Sequence, residues 1–200
     1  EPIWDKPEDI YIPNNLLDHP DLVCVLDAIK LLRQELGDDV AIIGKTMGPW
    51  SMAYHCFGVE KFLLLSLDDP EATKEILQKL KRVTIDFGNA QVEAGVDALT
   101  LPDHATGDLV SGEYYERYLR DLHTEFAEKI HCPLILHICG RTVDRMGFIA
   151  ETGMAAFHYD SKNGPAESMA TVHGDIALVG NINNPETLFS KTPDDVKAEV

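Results

Sequence analysis

From Asp21 to Leu36 the apolar residues Leu22, Val25, Leu26, Ile29, Leu32 and Leu36 recur every three or four positions, which predicts a helix with one buried face. Gly37 follows as a C-terminal stop. The pattern then changes. Val40-Ala41-Ile42-Ile43-Gly44 is a short unbroken apolar run, the mark of a strand buried on both faces in a parallel sheet. It leads into the turn Gly48-Pro49-Trp50-Ser51. Helical spacing returns over 51–66 and again from Asp69 to Ala94, with Pro70 in the first turn and the charges gathered on one side. Beyond this, strands are predicted over 96–101, 133–137, 155–159 and 176–179. Helices are predicted over 111–130, 141–152 and 164–172, with a last helical stretch after Pro185. Residues 1–20 carry Pro2, Pro7, Pro13 and Pro20 and read as an irregular lead-in to a single domain covering 1–200.

Strands alternating with helices imply βαβ units and a parallel sheet. Two architectures meet that pattern: a doubly wound open sheet, or part of a (β/α)8 barrel. A complete barrel takes about 250 residues, more than the 200 here. Both architectures put their active sites at the carboxyl ends of the strands.

The charge narrows the choice of partner. Lys and Arg total 17 against 34 Asp and Glu, a net charge of −17. Nucleic-acid backbones and anionic membranes are bound by clustered cations, so neither is an expected partner. No run of about 18 apolar residues is present, and Glu1-Pro2-Ile3-Trp4-Asp5 lacks the basic and apolar regions of a signal peptide. A cytoplasmic location is the default expectation. Four cysteines are too sparse for a disulfide framework. Cys24, Cys56 and Cys132 read as small buried apolar residues.

The predicted strand ends carry Trp50 and Ser51, then Asp103 and His104, His137 and Cys139, His158 and Asp160, and finally Asn181 and Asn183. The sharpest feature is Leu134-Ile135-Leu136-His137-Ile138-Cys139-Gly140. Residues i and i+2 of a strand point the same way, so His137 and Cys139 aim at one point. Imidazole and thiolate are preferred zinc ligands, and a catalytic zinc takes about three protein ligands and one open position. His-x-Cys supplies two. Asp160, at the end of the next strand, is the third candidate; a helix cap or an ion pair with Lys162 is the more ordinary role for such a residue taken by itself. Asp103 and His104 are candidates to contact substrate, although Asp103 would also serve as a cap for the helix that follows. His158 lies in an apolar run, where a satisfied core histidine is the ordinary occupant. Trp50 is a candidate substrate contact or a packing residue. Asn181, Asn183 and Asn184 are candidate ligand contacts or ordinary turn chemistry.

The blocks Gly48-Pro49-Trp50-Ser51, Val96 to Gly107, Leu136-His137-Ile138-Cys139-Gly140 and Leu178 to Leu188 resemble the uroporphyrinogen decarboxylase superfamily. The His-Ile-Cys-Gly block resembles its zinc-dependent methylcobamide:coenzyme M methyltransferase branch. The resemblance spans nearly all of the chain. It implies a (β/α)8 TIM barrel, here an incomplete one matching about strands three to seven. It also implies a second zinc-binding cysteine near the eighth strand; no cysteine follows Cys139, so that ligand would lie beyond Val200.

The implied activity is methyl transfer from a methylated corrinoid, carried by a small corrinoid protein, to the thiol of coenzyme M. Zinc on His137 and Cys139 would activate the thiol, and Asp160 would be a displaceable ligand standing where Glu is expected. Trp50, Asp103, His104 and Asn181 would face substrate. The alternative is a metal-free decarboxylase acting on a tetrapyrrole, with Asp103 at the pyrrole nitrogens. A corrinoid-binding scaffold and a zinc hydrolase stand further off.

Overall fold

The computed structural model describes residues 2–200. Two short 3-10 turns, Pro7–Asp9 and Leu16–Asp18, lead into α1 (Pro20–Leu36), which ends at Gly37 with φ 57°. Five strands follow: β1 (Ile43–Lys45), β2 (Ala98–Pro102), β3 (Leu134–Ile138), β4 (Ala156–Tyr159) and β5 (Ala177–Val179). They form one sheet in chain order, each parallel to the next. A doubly wound sheet reverses its order at a switch point. This sheet never reverses, so it is an arc of a TIM barrel.

Between β1 and β2 run α2 (Pro49–Phe57), α3 (Val59–Asp68) and α4 (Pro70–Ala94). The helix predicted over 51–66 is thus two helices. Gly58 sits at φ 84°, a conformation that interrupts the helix and that glycine adopts without Cβ strain. The stretch 111–130 is likewise divided at Leu119, into α5 (Gly112–Tyr118) and α6 (Arg120–Lys129). The remaining helices are α7 (Val143–Ala150), α8 (Pro165–Val172) and α9 (Pro193–Glu199), with a π-helical turn at Asn184–Phe189. No described helix is long and apolar enough to cross a membrane.

Strand periodicity sorts the side chains onto two faces. Leu99, Leu101, Leu134, Leu136, Ile138, Phe157 and Tyr159 join the buried core with Ile76, Leu77, Leu80, Phe126 and Ile149 from the helices. Burying each large apolar side chain contributes about 1.5–3 kcal/mol. The opposite face is concave in a barrel. On it, register places Pro102, His137, His158 and Val179 in one row across β2 to β5.

Two sequence expectations are corrected. Cys24 is exposed, and Cys56 and Cys132 are half-buried; α1 sets only Ile29 fully into the core, so the rest of the helix has a wet side. His158 is exposed, not a core residue, because its neighbours Phe157 and Tyr159 take the helix-facing side of β4.

Candidate metal centre

At the carboxyl end of the arc, β2 continues into Asp103 and His104, and β3 into Cys139. Asp103 N–H still bonds His137 C=O at 3.0 Å, so the ladder persists past β2. Two residues beyond Pro102 and His137, His104 and Cys139 return to the concave face. The result is a cluster in which ligand atoms of His104, His137 and Cys139 all lie within 4.8 Å of one another.

The tautomer of His137 follows from its partners. Nδ1 lies 3.1 Å from the carbonyl oxygen of His158, which only accepts, so Nδ1 carries the proton. Nε2 therefore presents its lone pair, 3.1 Å from Cys139 Sγ. A carbonyl oriented on the far nitrogen is the usual support of a metal-binding imidazole. Burial pulls the His137 and His104 imidazoles below the ordinary histidine range, which keeps their lone pairs free at neutral pH. Burial, with the Asp160 charge adding to it, pushes the Cys139 thiol up. Without a cation that sulfur stays protonated at neutral pH. The donor set of two imidazoles and one sulfur suits zinc. His104 Nδ1 is buried with no hydrogen-bond partner in the chain.

Asp160 stands outside this cluster. Its Oδ2 accepts the Gly140 N–H at 2.9 Å and its Oδ1 the Lys162 N–H at 3.0 Å. Burial alone would raise its pKa; the donors at Gly140, Lys162 and Ser161 and the Lys162 charge outweigh that and hold the carboxyl below the ordinary range. Asp160 thereby ties the turn after Cys139 to the end of β4. Asn181 gives its side-chain amide to the carbonyls of Asp160 and Asn163, at 3.1 and 2.7 Å.

Trp50 and Asp103 have no exposed surface through which to contact a substrate. Trp50 packs edge-on against Phe62 with ring centres 4.9 Å apart. Asp103 does cap a helix, but it is α2, whose first turn precedes it in the chain. Asp103 Oδ1 accepts the Ser51 N–H at 2.8 Å, and Ser51 Oγ accepts the His104 N–H at 2.8 Å. Gly48 is required here, because a Cβ would collide with the Asp103 carboxylate.

Three residues escaped sequence reasoning. His123 is fully buried, with Nε2 3.1 Å from Asp103 Oδ2 and Nδ1 2.8 Å from Tyr115 Oη. Its place in the stripe Leu119, Leu122, His123, Phe126 was the signal for burial. Asn163, also buried, accepts the Thr142 N–H at 2.7 Å and donates to Gly140 C=O at 2.9 Å. Buried Arg145 donates to the carbonyls of Ala105 and Val110 and clamps the loop after His104. Neither of the last two has a sequence signal, since their partners lie 21–40 residues away.

Comparison with known proteins adds the lineage. The methylcobamide:CoM methyltransferase MtaA of Methanosarcina barkeri is 33% identical over 190 residues, 94% of this chain and 56% of that protein. A methylated-thiol–coenzyme M methyltransferase of Methanosarcina mazei is 29% identical over 98% of this chain and 53% of its own length. A uroporphyrinogen decarboxylase of Pseudomonas fluorescens is 30% identical over 91% of this chain and 54% of its own. The chain spans about half the length of these curated relatives. Among solved structures, a methyltransferase from Methanosarcina mazei superposes with a TM-score of 0.93 at 30% identity, over 99% of this chain and 59% of that one. The family model of uroporphyrinogen decarboxylase matches residues 1–200. With the barrel arc and its concave strand-end cluster, this chain belongs to the uroporphyrinogen decarboxylase family.

Proposed function

We propose that this chain serves zinc-dependent methyl transfer from a methylated corrinoid, carried by a small corrinoid protein, to the thiol of coenzyme M or a similar thiol. The observation that carries this reading is the nitrogen and sulfur cluster at the strand ends. The names of the methyltransferase relatives support it. A metal-free decarboxylase is supported by relatives at 30% identity, but it gives that donor set nothing to do.

His137 and Cys139 would hold the metal. Zinc bound there supplies a Lewis-acidic site at which a thiol loses its proton at neutral pH. His137 offers Nε2 because the His158 carbonyl holds the proton on Nδ1. Asp160 and Asn163 fix the Gly140 turn and with it the position of the Cys139 sulfur. Asp160 acts as a positioning residue, since both its oxygens are engaged by backbone N–H groups. Asn181 steadies the same turns from β5.

The test is zinc content by elemental mass spectrometry on the full-length protein beside Cys139→Ser, followed by transfer from methylcobalamin to coenzyme M. About one zinc per chain, lost in the variant together with turnover, is the expected result. A metal-free protein, or turnover retained by Cys139→Ser, would overturn the reading.

A further inference from the structure

We propose that Lys45, on β1, selects the acceptor: its ammonium binds an anionic group at the far end of the incoming thiol, so the substrate class is a short thiol with an anionic tail. The inference rests on the thiol-methylation reading and deepens it, since a metal site by itself does not distinguish one thiol from another.

Register places this residue. Gly44 turns toward the helix layer, where a Cβ would collide with Leu99 and Gln91. Alternation then sets Lys45 on the concave face, in one row with Thr100, Ile135, Ala156 and Ala177. That row lies one layer below Pro102, His137 and His158. Barrel interiors are filled by packed apolar side chains, and a charge set among them needs a counter-charge.

The arc supplies none. No residue of the five strands is a carboxylate. The acids at the strand ends are already engaged, Asp103 by Ser51 and His123, Asp160 by Gly140 and Lys162. Lys61, Lys74, Lys79, Lys81 and Lys129 each pair with a carboxylate. The Lys45 ammonium has no such partner among the described residues, in a chain with twice as many acids as bases. Its backbone, by contrast, is fixed. The Lys45 N–H donates to Gln91 Oε1 at 3.1 Å, and its C=O accepts from Gln91 Nε2 at 2.9 Å. Gln91 is buried, so the strand end is held without any help from the lysine side chain.

The reach is suitable. Two strand spacings and two residues of rise put the Lys45 and His137 Cα atoms about 12 Å apart. The lysine stem covers about 6 Å of that. What remains matches a thiol and an anionic head separated by two carbons, the form of coenzyme M with its sulfonate. Besides burial, the Lys45 charge helps to hold the His104 imidazole low, against the pull of Asp103, so its field extends to the strand-end cluster. Thr100, level with Lys45, adds a hydroxyl to the same layer. At a net charge of −17 the chain as a whole repels anions, and a local cation is what offsets this.

The test compares two acceptors on zinc-loaded full-length protein, coenzyme M and mercaptoethanol, which share the thiol and the two-carbon spacer and differ in charge. The parent is expected to favour coenzyme M in kcat/KM. Lys45→Met removes the charge and keeps the stem. It is expected to raise the KM for coenzyme M by about tenfold to a hundredfold, with kcat much less affected, and so to collapse the preference. Lys45→Arg is expected to restore most of it. Calorimetric titration with coenzyme M reads the same loss of affinity without turnover. A Lys45→Met protein with parental zinc content and melting temperature that keeps the preference would overturn the inference and leave the methyl-transfer reading standing. So would an equal loss in Lys45→Arg. Should Lys45→Met fail to fold, the parent decides: equal kcat/KM for the two thiols overturns the inference, and a clear preference that fades with rising salt supports it. A parent that methylates neither thiol would overturn both readings together.

Discussion

Asp103 and Ser51 lock two chain segments to each other: Asp103 takes the Ser51 N–H at 2.8 Å, and Ser51 Oγ takes the N–H of His104, the residue after Asp103, at 2.8 Å. The carboxylate sits at the positive end of α2, where a negative charge is favoured. It also accepts from His123 Nε2 at 3.1 Å. Asp103→Ala leaves a buried helix-end N–H and a buried imidazole without their acceptor. It should destabilise the protein by roughly 3–5 kcal/mol. Asp103→Asn keeps an acceptor for Ser51 and should cost about 1–2 kcal/mol. Urea denaturation of the two variants checks the order; equal losses would show that the lock does not depend on the acceptor.

Gly140 follows Cys139 at φ 78°, and a Cβ there would meet Thr106 Oγ1 and the Asp108 carboxylate. Gly140→Ala therefore combines backbone strain with a steric collision beside the Cys139 sulfur. The expected outcome is a loss of metal affinity larger than the loss of overall stability, read by metal titration and thermal melting on the same sample. Metal affinity equal to the parent's would show that the turn does not place Cys139.

The Asp160 carboxyl is held below its ordinary value of 3.8 despite its burial, chiefly by the Gly140 and Lys162 N–H groups. A group whose native pKa is lowered contributes its stability in full above the unfolded value. That contribution is lost as the pH falls through the native one. Asp160→Asn should thus be less stable than the parent near neutrality, and the two should converge as acid protonates Asp160. Urea midpoints measured from about pH 6 down to about pH 2 test this; a difference unaltered by acid would remove the charge from the explanation.

Burial and the neighbouring Asp160 charge raise the Cys139 thiol above 9.0. Binding a metal through sulfur must then expel a proton at neutral pH. Apparent affinity should climb by up to about tenfold per pH unit between roughly pH 6 and 8. The lowered imidazoles of His104 and His137 contribute less slope in that range than unperturbed histidines would. Calorimetry in buffers of different ionisation enthalpy would count the released proton, and no proton released would exclude Cys139 as the ligand.

The alternation of apolar runs and helical stripes is a local property, so the strands and most helices were legible without coordinates. Breaks at Gly58 and Leu119 were missed because a continuous apolar stripe passes through both. His137 and Cys139 were legible as a pair because strand periodicity alone puts residues i and i+2 on one side. His104 joins them only because β2 pairs with β3 in the register that sets Pro102 opposite His137. Register depends on packing between strands 35 residues apart, and no local pattern encodes it. The same holds for Asp103, whose neighbours Gly48 and Ser51 come from the start of α2 and His123 from α6. Composition and periodicity sufficed for the fold class and for the pairing of His137 with Cys139, since both arise from short-range order. The choice between barrel arc and open sheet, the burial of Asp103 and Trp50, and the meeting of His104 with Cys139 were settled by long-range pairing, in which distant segments bury their apolar faces together.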